Sequence, residues 1–163
     1  GPVALPVPAG VRRIGVAGAR DMRDAVHAAL PGADVFIGVA AVADYRPLEV
    51  AEHKMKKKDG ILTLELTQNP DILAEVAALP DAPFCVGFAA ESRDLDAYAE
   101  GKRQKKRLPM LVGNLVQDGM GSDDNVVVLY DDAGRHPLPR APKTELARGI
   151  VEHLAGLLEA AGR

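Results

Sequence analysis

Two hydrophobic rhythms alternate along this chain. Short continuous apolar runs read as strands buried on both faces, and stretches with apolar residues three and four apart read as amphipathic helices. The runs are "ADVFIGVA" (33–40), "PFCVGFA" (83–89) and "PMLVGN" (109–114). "VRRIGVA" (11–17) predicts one more short strand, "ILTLELT" (61–67) an alternating one, and "VVVLYDD" with "GRHPLPRAP" a strand, a turn and a short return. The helical stretches are "ARDMRDAVHAAL", stopped by Pro31-Gly32, then "NPDILAEVAAL", "RDLDAYAEGKRQKKRL" and "KTELARGIVEHLAGLLEAA". The last carries Leu146, Ile150, Leu154 and Leu157 on one face. In the second, Asn69 is the expected N-cap, Pro70 the first helical residue and Asp71 a first-turn acid.

Buried strands alternating with helices predict an α/β domain: a mostly parallel sheet flanked by helices on both faces. The proline-rich opening "GPVALPVPAG" predicts an extended connection, residues 42–60 a long loop, and "DGMGSDDN" a polar loop. The chain shows no internal repeat and no second domain.

Composition narrows the function. The 163 residues suffice for one domain with a core, and hydrophobic and charged contents of 47% and 26% are ordinary for a globular protein. A net charge of −3 gives no basic field for nucleic acid. No apolar run reaches membrane-spanning length. The single cysteine, Cys85, excludes an internal disulfide and fits a cytoplasmic protein. The four histidines, His27, His53, His136 and His153, show no metal-ligand spacing.

In open α/β sheets, ligands bind beyond the carboxyl ends of the strands. Three strands here run into small or polar residues: "AAVADYRP", "FAAES" and "GN". The P-loop and G-x-G-x-x-G patterns are absent, so bound phosphates must be held by lysines and helix N-termini. Lys54, Lys56, Lys57 and Lys58 offer charge, as do Lys102 and Lys106, four apart on one helix face. Each feature also has a plainer use. Lysine runs are usually solvated surface, cations are favoured at any helix C-terminus, Asp44 serves a turn, and Phe88 and Cys85 fill a core.

Taken in order, "AAVADYRP", "KMKK", "LTLELTQNPDILAEVA", "VGFAAES", "KRQKKR", "LVGN", "GSDDNVVVL" and "KTELARGIV" resemble the phosphopantothenate–cysteine ligase (phosphopantothenoylcysteine synthetase) family. In many bacteria this is the C-terminal half of a bifunctional coenzyme A biosynthesis protein. The resemblance covers nearly the whole chain. It implies a Rossmann-like domain that forms a homodimer and is fused to a phosphopantothenoylcysteine decarboxylase domain. It also implies CTP, 4′-phosphopantothenate and L-cysteine as substrates, with Mg2+.

By motif position, the resemblance makes Lys54 the catalytic lysine of acyl-cytidylate formation. Ala40 and Ala41 become small residues near the nucleotide, Asp44 the nucleotide-binding acid, and Pro70, Asp71, Ile72 and Leu73 the nucleotide-binding helix start. Phe88 is implied near the cytidine, and Lys102 and Lys106 at the triphosphate. The metal ligands stay unassigned. The family domain normally begins about 50 residues earlier, with a glycine-rich "SNxSSGKMG"-like loop that nothing here matches. The resemblance therefore implies an N-terminally truncated ligase domain spanning residues 1–163. Two alternatives remain at this point: a non-catalytic nucleotide-binding and dimerisation module, and a different Rossmann-like enzyme using a dinucleotide, against which the missing G-x-G-x-x-G counts.

Overall fold

The computed structural model describes residues 3–57, 60–119 and 121–163. Lys58, one of the four clustered lysines, lies outside them. The chain divides into two units: residues 1–31 with 41–72, and residues 32–40 with 73–163.

The second unit carries a five-stranded sheet in the order β1-β4-β5-β6-β7. β1 (Val35–Gly38), β4 (Phe84–Glu91) and β5 (Met110–Leu115) are parallel. β6 (Asp124–Asp131) and β7 (Gly134–Pro142) extend the sheet as an antiparallel hairpin. Side chains alternate across the sheet, so each apolar strand supplies two faces. Phe84, Val86, Met110, Val112, Val127 and Leu129 point to one side, where Leu146, Ile150 and Leu154 of α5 (Lys143–Ala160) complete the core. Burying each of these three side chains is worth about 1.5–3 kcal/mol, an upper estimate.

On the other side, α2 (Ile72–Ala77) and α3 (Leu95–Lys106) approach glycines, while the short α4 (Val116–Gly119) follows β5. A Cβ at Gly113 would lie 3.0 Å from Leu95 Cδ1 and 3.4 Å from Ala99 Cβ. A Cβ at Gly87 would lie 2.9 Å from Leu73 Cδ2 and 2.7 Å from Leu108 Cδ1. The glycines of "VGFAAE" and "LVGN" thus let helices pack close on the sheet. The result is the expected Rossmann-like α/β fold, with helices on both faces.

One strand differs from expectation. β1 is not buried on both faces: Ile37 is 39% exposed, and Val39, just past the strand, 60%. The reason is its edge position: among the described residues it pairs with β4 alone.

The first unit holds α1 (Ala19–Ala29), whose first turn is capped by Asp21, accepting from the Gly18 and Ala17 amides. It also holds β2 (Tyr45–Pro47) and β3 (Leu66–Gln68), paired antiparallel as a two-stranded ribbon. Residues 11–17 form no strand; Val11 and Ile14 stay about half exposed. The predicted strand over 61–67 shrinks to β3, with Ile61, Leu62 and Leu64 exposed, and the expected loop contains β2. An alternating pattern becomes a strand only as far as a partner strand accompanies it, and β2 offers three residues. No described helix is long and apolar enough to cross a membrane.

Candidate functional site

The sheet order settles where the strand ends fall. β1, β4 and β5 are neighbours running the same way, so their carboxyl ends face the same edge of the sheet, with β1 stopping beside Gly87 while β4 runs on to Glu91. Register places Gly38 beside Gly87, Ala90 beside Asn114 and Glu91 beside Leu115. Ala40 follows β1 and is exposed.

Phe88 sits on β4 opposite Val112, half-buried and packed against the core. Leu73 packs over Gly38 and Gly87, holding α2 against the sheet. From α3, Lys102 reaches the end of β4: its Nζ lies 2.6 Å from Glu91 Oε1. Lys106 follows one turn later, half-buried, in the basic last turn of α3.

Arg103, beside Lys102, has a different task. Its guanidinium is 10% exposed and donates to both Glu100 oxygens at 2.9 Å, to Asp132 Oδ1 at 2.8 Å and to the Leu108 carbonyl at 3.3 Å. The hydrogen bonds to Glu100 raise its pKa further, and Glu100 is lowered in return. Within "KRQKKR", then, one cation is structural. The sequence signal for it is the acid three residues before Arg103, one helical turn away.

In the first unit, the "ADYR" and "QNP" segments are tied together. The Asn69 amide donates to the Asp44 carbonyl at 2.7 Å, and Asn69 Nδ2 to the Ala43 carbonyl at 2.8 Å. Arg46 donates to the Gln68 carbonyl, and at 3.2 Å to Asn69 Oδ1. These bonds correct the expected cap. α2 starts at Ile72, so Pro70 and Asp71 precede it, and the Asn69 side chain is spent on the 43–46 segment. Ile72 is buried, while Ala41, Asp44 and Asp71 are exposed. Lys54, Lys56 and Lys57 are exposed on a stretch without helix or strand.

Among the described residues, no cage of protein ligands for the magnesium that the resemblance implies stands at these strand ends. Among the described residues the single group of three His, Cys, Asp or Glu side chains is Asp131, His136 and His153. Register puts that group past the Tyr130–Leu111 pair, by the amino end of β5. Magnesium readily keeps water and phosphate oxygens as ligands.

The comparisons with known proteins agree on one family. The model for the DNA/pantothenate metabolism flavoprotein C-terminal domain matches residues 1–158. The chain is 44% identical over 164 residues to the coenzyme A biosynthesis bifunctional protein CoaBC of Vibrio vulnificus, covering 97% of this chain and 41% of that one. It is 40% identical over 167 residues to the protein of the same name from Bacillus subtilis, covering 99% and 41%. Among solved structures, the C-terminal domain of coenzyme A biosynthesis bifunctional protein CoaBC superposes with a TM-score of 0.80 at 34% identity, covering 98% of this chain and 72% of that one. The chain thus spans about two fifths of the length of these curated relatives.

Proposed function

The chain belongs to the DNA/pantothenate metabolism flavoprotein C-terminal domain family, and from that premise we propose that it carries the CTP-dependent ligation of L-cysteine to 4′-phosphopantothenate. The observation that carries this reading is the 44% identity across 97% of the chain to a bifunctional coenzyme A biosynthesis protein.

The reaction has two steps. The 4′-phosphopantothenate carboxylate attacks the α-phosphate of CTP, forming an acyl-cytidylate and releasing pyrophosphate. The cysteine amine then attacks the acyl carbon, forming the amide and releasing CMP. A carboxylate acylates poorly, and CMP is the leaving group that activates it. Charge shifts onto the departing pyrophosphate in the first step, so preorganised cations lower that barrier most.

In the first unit, Lys54 serves as that cation, Asp44 accepts hydrogen bonds from the nucleoside, and Pro70, Asp71 and Ile72 present the backbone leading into α2. In the second unit, Ala40 leaves room for close approach, Leu73 fixes α2, Phe88 lies by the cytidine, and Lys102 and Lys106 hold phosphate oxygens. Ala41, exposed and small, does in the first unit what Ala40 does in the second.

The reading is tested by pyrophosphate release from CTP with 4′-phosphopantothenate, and by CMP release once cysteine is added. Release that depends on CTP and on 4′-phosphopantothenate supports it. CTP binding by calorimetry without pyrophosphate release points instead to a nucleotide-binding module that lacks catalysis. Binding of a dinucleotide in place of CTP overturns the reading altogether.

A further inference from the structure

We propose that Asp131, His136 and His153 form a binding site for a zinc-class divalent cation, apart from the strand ends assigned to the nucleotide. The three side chains come from three elements. Asp131 ends β6, His136 lies on β7 opposite Leu129, and His153 is on α5. Their ligand atoms all fall within 4.8 Å of one another. Sequence spacing could not reveal this, because the hairpin and the packing of α5 on it bring the residues together.

The donor set suits zinc: two imidazole nitrogens and one carboxylate, the composition of a three-ligand site that leaves a position open to water. Both imidazoles turn Nε2 to the same carboxylate. His136 Nε2 lies 3.0 Å from Asp131 Oδ1, and His153 Nε2 lies 2.7 Å from Oδ2. Ligands on a tetrahedral zinc, bonded at about 2.0–2.1 Å, stand about 3.3 Å apart. Small side-chain movements therefore admit the ion, with each imidazole then carrying its proton on Nδ1. The ring centroids are 4.6 Å apart and tilted by 49°, so the two rings do not stack flat and block one another.

The supporting shell is already built. Asp131 is 4% exposed, and its Oδ1 accepts from the Ala133 amide at 2.8 Å and the Gly134 amide at 3.2 Å. These two backbone amides hold the carboxylate in place, the kind of supporting hydrogen bond that orients a metal ligand. His136 and His153 side chains are 36% and 24% exposed, which leaves the ion a path in. Bound there, zinc would pin the tip of the β6–β7 hairpin to α5, and its role is structural rather than in the ligation.

The test is zinc uptake by the EDTA-treated protein, read by competition with a chromophoric chelator and by thermal melting with and without zinc chloride. The wild type is expected to take up one ion per chain and to melt higher with zinc. His136→Gln and His153→Gln, both at partly exposed positions, each weaken binding on the order of ten-fold or more. The double variant His136→Gln/His153→Gln loses the ion while keeping any CTP-dependent pyrophosphate release. Zinc uptake by the wild type no greater than by the double variant overturns the proposal, because residual binding then comes from elsewhere, such as His27 or His53.

Discussion

Lys102 Nζ stands 2.6 Å from Glu91 Oε1, tying the middle of α3 to the last residue of β4. The carboxylate is 14% exposed and the lysine 50%, so the pair sits at the surface with its acid half inside. Pairs of this exposure contribute about 0–1 kcal/mol. A charged hydrogen bond to phosphate contributes more, about 1.5–3 kcal/mol. Lys102→Met is therefore expected to leave the urea midpoint almost unchanged while weakening CTP binding on the order of ten- to a hundred-fold. Calorimetry with CTP beside denaturation curves checks this. Equal CTP affinity in the variant would remove Lys102 from the site and leave it as the partner of Glu91.

Gly87 carries a packing prediction. A Cβ there would meet Leu108 Cδ1 at 2.7 Å and Leu73 Cδ2 at 2.9 Å. Leu108 is 2% exposed, so its methyl has little space to yield. Gly87→Ala is expected to cost about 1–3 kcal/mol, the range for overpacking a filled interior. The midpoint of urea unfolding reads this directly. An unchanged midpoint would mean that α2 and the segment after α3 shift outward freely.

Cys85 gives a pH dependence. The thiol is 1% exposed, its Sγ lies 3.4 Å from the Pro83 carbonyl, and burial pushes its pKa above the ordinary 9.0. The folded state thus keeps a proton that the unfolded chain gives up. Stability from this group is complete below pH 9 and declines as pH rises through the folded pKa. Wild type is expected to lose more stability than Cys85→Ala between neutral pH and the alkaline range. The buried thiol should also react with a thiol reagent only as fast as the protein opens. Rapid labelling of the native protein would refute both statements.

What the sequence made legible follows the physics of each element. β4, β5 and α5 announce themselves because burial on both faces, or on one helical stripe, leaves a periodic trace. β2 leaves none: it is three residues, Tyr45–Pro47, held by pairing with β3 and by Arg46 reaching Gln68 and Asn69. "VRRIGVA" shows the converse, an apolar stretch that forms no strand. For the site, the neighbouring strand ends were readable from the alternation of strands and helices. The pairing of Glu91 with Lys102, the structural duty of Arg103 and the meeting of His136 with His153 were not. Each depends on side chains that are distant in sequence or differ from their neighbours only in direction.

Lys54 remains the sharpest test of the proposed chemistry. It is exposed, on a stretch with neither helix nor strand, and next to Lys56 and Lys57, which share its exposure and charge. An exposed lysine of this kind holds little of the fold, so Lys54→Gln should change stability by less than about 0.5 kcal/mol. If Lys54 stabilises the charge that builds on the triphosphate, the same change should slow pyrophosphate release on the order of a hundred-fold, the scale of losing one preorganised electrostatic contact. Lys57→Gln is the control: a general basic field would suffer equally from either loss, whereas a specific contact would not. Pyrophosphate release at the wild-type rate in Lys54→Gln, or an equal loss in both variants, would strip Lys54 of its individual role and leave the cluster as a shared field.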